Sequence, residues 1–202
     1  MRAGPRVWVD ELEFGAPDVV AVWRLIDPAD FSKDYSATRA ELRQRAGPGS
    51  AARVLAEQEA IADALEAILA EMPDQLLREP GGEGDWNVAQ AFAHTTGSRR
   101  YLAAAAAFAA RGQWPDPPPT VTPGVPGPAD ADRETLLMLL GKSRRSMAQS
   151  AAAIAGHETD PCPLDHPLIG TRLTCGEWLL FCGVHDLMHL EQLHNLLDRA
   201  SE

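Results

Sequence analysis

The chain has 202 residues, a formal net charge of −11, 45% hydrophobic and 23% charged residues, the composition of one ordinary globular domain with a sizeable core. The acidic balance argues against nucleic acid or an anionic membrane as partner, and no window reaches the roughly 20 apolar residues of a membrane span. Three cysteines give no disulfide framework. Acidic residues between Met1 and Phe14 stand where a signal peptide has its apolar core, so a cytoplasmic setting is expected.

Residues 1–49 read as an N-terminal arm, separate from a main domain at 50–202. Arg6 to Phe14 suggests a short strand and Pro17 to Ile26 a helical turn or two, with breakers at Asp27-Pro28 and Gly47-Pro-Gly49. Trp8, Phe14, Trp23 and Phe31 favour packing on the main domain or on a second subunit over a disordered tail.

Ser50 is placed to cap a first long helix running to Met72. Its stripe is Val54, Leu55, Ile61, Leu65, Ile68, Leu69 and Met72, with Glu57, Glu59, Asp63 and Glu66 outside it. After a Gly-rich loop, Asn87 and Gln90 stand at capping-box spacing and open a second helix from 88 to about 111, with His94 two turns in. Trp86, just before the cap, reads as a staple for that helix. Residues Trp114 to Pro128 hold seven prolines, which excludes helix and predicts an extended connector. Such a segment reaches about 3 Å per residue, enough to run back along a helix of about 36 Å and start the next one at the same end. A third helix follows from Asp132 to Ala155, burying Leu136, Leu137, Leu139, Leu140, Met147 and Ile154 and stopped by Gly156. The stretch His157 to Arg172 reads as a loop, with His157 and His166 solvated.

The last helix organises the rest. Thr174 and Glu177 form a capping-box pattern, and Leu180, Val184, Leu187, Leu190 and Leu193, with their neighbours, make it apolar nearly all round, as in a helix buried in a bundle. It also carries His185 and His189, which sit roughly 40° apart on one face. Unpaired imidazoles in an apolar core cost several kcal/mol, so the pair either finds hydrogen-bond partners or binds a metal. His94 is the natural third ligand; His194 lies about 180° round from His185 and cannot reach the same ion. Trp178, Cys182 and Gln192 share the histidine face as candidate pocket residues. Cys182 reads either as a site-lining thiol or as a small buried hydrophobe, and Gln192 as a partner of a ligand or as a boundary polar residue. Cys175 lies in a first turn, where the helix dipole lowers a thiol pKa, and reads as structural. His185-Asp-x-x-His189 also resembles a zincin motif, but a core helix leaves no cleft for a peptide.

Two segments carry a family resemblance: Asp85-Trp-Asn-Val-Ala-Gln-Ala-Phe-Ala-His94, and His185-Asp-Leu-Met-His189-Leu-Glu-Gln192. Together, in this order, they resemble the DinB/YfiT-like superfamily over about residues 50–200, with departures at Thr95 and Glu191. The resemblance implies an all-α fold, a four-helix bundle with a long Pro-rich crossover between its second and third helices, here with an N-terminal extension. It further implies a divalent metal on His94, His185 and His189, often in a homodimer. Zinc or nickel is the expected ion, as imidazole suits both. Family members with known activity are similar to thiol S-transferases and thiol-dependent isomerases, so the implied partners are a small-molecule substrate and a low-molecular-weight thiol cosubstrate. Two rival readings are a metal-dependent hydrolase assisted by Asp186 or Glu191, and a non-enzymatic metal-binding or interaction bundle.

Overall fold

The computed structural model describes residues 7–26, 35–81, 84–121, 124–165 and 172–200; Asp27-Pro28, Phe31 and His166 lie outside them. The fold is predominantly helical. Three short helices, α1 (Val7–Gly15), α2 (Pro17–Trp23) and α3 (Ser36–Arg45), precede four long ones: α4 (Ala51–Glu71), α5 (Val88–Ala110), α6 (Arg133–Ile154) and α7 (Cys175–Ala200). No helix among the described residues is long and apolar enough to cross a membrane.

The long helices share one core. α4 and α5 each pack against both α6 and α7, burying Ile61, Leu65, Phe92, Leu136, Leu140, Met147, Leu180 and Leu187 almost completely. Each such side chain contributes roughly 2 kcal/mol relative to exposure. Side-chain bonds fix the directions. Arg133 at the start of α6 reaches the carbonyls of Leu69 and Met72 at the end of α4, so these two helices are antiparallel. At the other end Glu158 accepts from the Ala51 N–H at the start of α4, while its carbonyl accepts from Gly176 at the start of α7. α4 and α7 therefore run parallel.

The described residues of the Pro-rich connector run back along α5 from Tyr101 to its start. Tyr101 donates to the Thr120 carbonyl, His94 to Val125, and Asn87 to Ala129, while the Gly127 N–H donates to Gln90. α6 thus begins beside the start of α5 and runs parallel to it.

Two helix starts are capped as expected, Asn87 with Gln90 and Thr174 with Glu177, and the Asp132 side chain caps a third by accepting from the Thr135 N–H. The start of α4 is not. Ser50 has helical backbone angles and makes no cap bond; the carboxylate of Glu158 takes that role from a distant segment.

Four further expectations are corrected. Arg6 to Phe14 holds no strand among its described residues; Val7–Gly15 is a helix. Its β-branched and aromatic start is overridden because Val9, Leu12 and Ala16 fall on one helical face and bury together. The stretch after α6 is not all loop: β1 (Pro161–Asp165) and β2 (Arg172–Thr174) pair antiparallel, burying Cys162, Leu164 and Leu173. Leu137 is exposed rather than buried. Glu57 is buried rather than outside, because its carboxylate accepts from the backbone N–H groups of Asp18 and Val19 and so caps the start of α2. Burial is the largest effect on Glu57 and raises its pKa against the opposing pull of these bonds and of Arg53 and Arg45.

Candidate metal centre

α5 supplies His94 and α7 supplies His185 and His189, and the antiparallel crossing of the two helices brings the three rings together. Ring centroids lie 5.4 Å apart for His94–His185, 5.1 Å for His94–His189 and 4.7 Å for His185–His189. One nitrogen from each falls within 4.8 Å of the others. Three donors no farther apart than 4.8 Å all lie within about 2.8 Å of one common point, so a small side-chain adjustment brings them to the roughly 2 Å of an imidazole–metal bond.

Neighbouring groups fix two of the tautomers. Nδ1 of His94 lies 2.8 Å from the Val125 carbonyl. A carbonyl only accepts, so Nδ1 carries the proton and Nε2 keeps the lone pair. Nδ1 of His189 lies 3.1 Å from Oε1 of Gln192, whose Nε2 donates to the Gly81 carbonyl. That second bond orients the amide, so Oε1 must face His189 and Nδ1 again carries the proton. Orienting bonds of this kind hold imidazoles in the ligating tautomer.

Burial also favours the neutral ring. It is the main cause lowering the pKa of His94, offset in part by the bond to Val125, and it pushes His189 down to about 3, with His185 adding to the effect. Uncharged imidazoles are the form that binds a metal. On His185, Nδ1 is buried without a hydrogen-bond partner. The donor set and the fixed tautomers fit a divalent ion.

The loop before α5 shapes one side of the site. Its Gly81 N–H donates to the Trp86 carbonyl, and the Trp86 ring lies 4.9 Å from that of His94. A side chain at Gly81 would meet the Asn87 carbonyl at 2.7 Å, so this close approach requires glycine. Trp86 thus covers a histidine of the trio, a role its reading as a helix staple missed. A shallow groove lined by Met188, Glu191, Gln192, Asn195 and Arg199 opens beside Gln192.

The other sequence candidates have these surroundings. Trp178 is fully buried and meets Phe181 edge-on with centroids 6.0 Å apart. Cys182 is fully buried, and burial pushes its thiol far above the ordinary range. Burial also raises Cys162 to about 11 and Cys175 to about 12, so at Cys175 desolvation overrides the helix dipole. His194 stacks on Trp8 of α1, with centroids 4.8 Å apart, on another side of α7. His157 is exposed and pairs with Asp160.

Sequence reasoning missed Arg99. Nη1 donates to Oδ2 of Asp186 at 2.8 Å and Nη2 to the Gln58 carbonyl at 3.1 Å, and both members of the ion pair are fully buried. A signal existed. Phe92, Thr95, Thr96, Arg99, Leu102, Ala103 and Ala106 form one buried stripe at helical spacing, and a cation in such a stripe demands a buried partner.

Among curated proteins and among solved structures, none matches the chain. Residues 57–193 match the family described as the DinB superfamily, and the chain belongs to that superfamily.

Proposed function

We propose that the protein is a metal-dependent enzyme that joins a low-molecular-weight thiol to an electrophilic small molecule, on the four-helix bundle of its family. The observation that carries this reading is the convergence of three buried or half-buried imidazoles, two of them held in the ligating tautomer. His94, His185 and His189 hold the ion. A divalent ion held there would supply the Lewis acidity that lowers the pKa of a thiol.

The chain's own residues do the rest. Val125 and Gln192 hold the imidazoles in register, and Trp86 shields His94 from water. The three cysteines are buried with raised thiol pKa values, so the nucleophile comes from a substrate. Its sulfur forms the new bond to carbon as its proton leaves to solvent, and at that carbon either a π bond or strained ring opens and its electron pair takes up a proton, or a leaving group departs as its anion. Hydrolysis has less support: Asp186 is tied to Arg99 at zero exposure and is not presented to a water as a base.

Elemental analysis of protein purified without a histidine tag, beside a His185→Ala control, tests the metal. One equivalent of divalent metal, lost in the control, is expected. Turnover with bacillithiol, mycothiol or glutathione across an electrophile panel tests the chemistry. Metal-loaded protein that neither binds nor consumes any thiol overturns the thiol-transfer reading, and thiol-independent hydrolysis lost in His189→Ala replaces it.

A further inference from the structure

Two of the three histidines follow one pattern, in which Nδ1 donates to an oxygen fixed by the fold and Nε2 keeps the lone pair. His185 has no such bond, yet its surroundings hold the missing part. Its buried Nδ1 lies 3.8 Å from Oδ1 of Asp186, and both atoms are buried without a hydrogen-bond partner. Their chemistry is complementary, since a carboxylate oxygen accepts and an imidazole Nδ1–H donates. The gap exceeds a hydrogen bond by about 1 Å, so a side-chain shift of that size would make the bond.

Asp186 is held for this contact from behind. Arg99 takes Oδ2 at 2.8 Å and is itself anchored on the Gln58 carbonyl, so the free oxygen is the one on the His185 side. Arg99 lies five residues after His94 on α5, and Asp186 directly follows His185 on α7. One ion pair therefore joins the two helices that supply the trio.

We propose that Asp186, oriented by Arg99, is a positioning residue for His185: Oδ1 accepts the Nδ1 proton and leaves Nε2 as the atom offered to a metal. All three imidazoles then share one tautomer. The tautomer part stands on the apo protein alone; only its consequence for metal rests on the three-histidine reading above. The rival is a plain strut between α5 and α7.

Long-range ¹H–¹⁵N correlation NMR of histidine-labelled, metal-free protein separates them. Wild type is expected to show His185 as Nδ1–H. In Asp186→Asn the guanidinium still only donates, so the amide oxygen must face Arg99 and the amide nitrogen must face His185. Nδ1 then becomes the acceptor, and His185 is expected to switch to Nε2–H. Zinc affinity, read by competition with a chromophoric chelator, should fall about 10- to 100-fold, and Asp186→Glu should restore part of it. Nε2–H at His185 in the wild type overturns the proposal, and this measurement decides alone if Asp186→Asn does not fold. An unchanged tautomer and unchanged zinc affinity in folded Asp186→Asn also overturn it, in favour of the strut. If wild type binds no zinc, the metal reading fails while the two spectra still decide the role of Asp186.

Discussion

Gly127 lies against Ala93 so closely that a Cβ on residue 127 would sit 2.3 Å from the Ala93 Cβ. This contact seats the connector on α5 and lets the Val125 carbonyl, two residues earlier, reach His94. Gly127→Ala is therefore expected to lift the connector, cost about 1–3 kcal/mol by overpacking, and loosen His94. Chemical denaturation reads the first effect. A zinc titration of the same variant reads the second, as weaker binding with the other two ligands intact.

Gln192 tests the orienting role directly. Gln192→Leu keeps the volume but removes both the acceptor for His189 and the donor to Gly81. Metal affinity is expected to fall about 10- to 100-fold, with a smaller change in thermal midpoint. Full affinity in this variant would show that packing alone holds His189.

The Arg99–Asp186 pair allows a double-mutant cycle. Removing one partner strands a buried charge, so Arg99→Met is expected to destabilise the fold by about 3–5 kcal/mol. Asp186→Leu in addition removes the stranded carboxylate and should recover much of that loss. Urea melts of the wild type, the two singles and the double give the coupling. Additive losses would mean that the two side chains act independently.

The histidines predict an acid-labile apo protein. His189 is pushed down to about 3 from an unfolded value near 6.5, so the unfolded chain takes up its proton first on acidification. Its contribution is present above about pH 6.5 and is lost progressively toward pH 3. At about 1.4 kcal/mol per unit this amounts to something on the order of 5 kcal/mol. His94 acts in the same direction. Glu57, whose pKa is raised, acts in the opposite sense, since its protonated form is favoured in the fold. Urea melts of metal-free protein at pH 7 and pH 4 measure the sum, and His189→Leu is expected to flatten the dependence.

Helices and ligand candidates were legible because their signals are local. Capping pairs lie three residues apart, the histidine pair four, and seven prolines in fifteen residues rule out a helix. What could not be read is what depends on distant partners. Ser50 looks like a cap, but nothing near it announces Glu158. Glu57 sits among residues of ordinary polarity, and although the stripe around Arg99 calls for a buried partner, only the fold reveals that α2 and Asp186 lie against them. The N-terminal segment misled because Val7, Trp8 and Val9 favour strand by type, while Val9, Leu12 and Ala16 favour helix by spacing. Spacing prevailed, since it is what buries a face.

The grip of Glu57 on α2 has a practical consequence for where the gene is cut. The family match begins at residue 57, which invites a shortened protein starting at the first long helix. Such a fragment would strip Val19 from its seat on Gly183, where a side-chain carbon would meet it at 3.0 Å, two residues before His185. It would also leave the Glu57 carboxylate without the amides it caps. The helix α2 is masonry rather than packaging, and a trimmed clone that precipitates would say nothing about the chemistry of the intact chain.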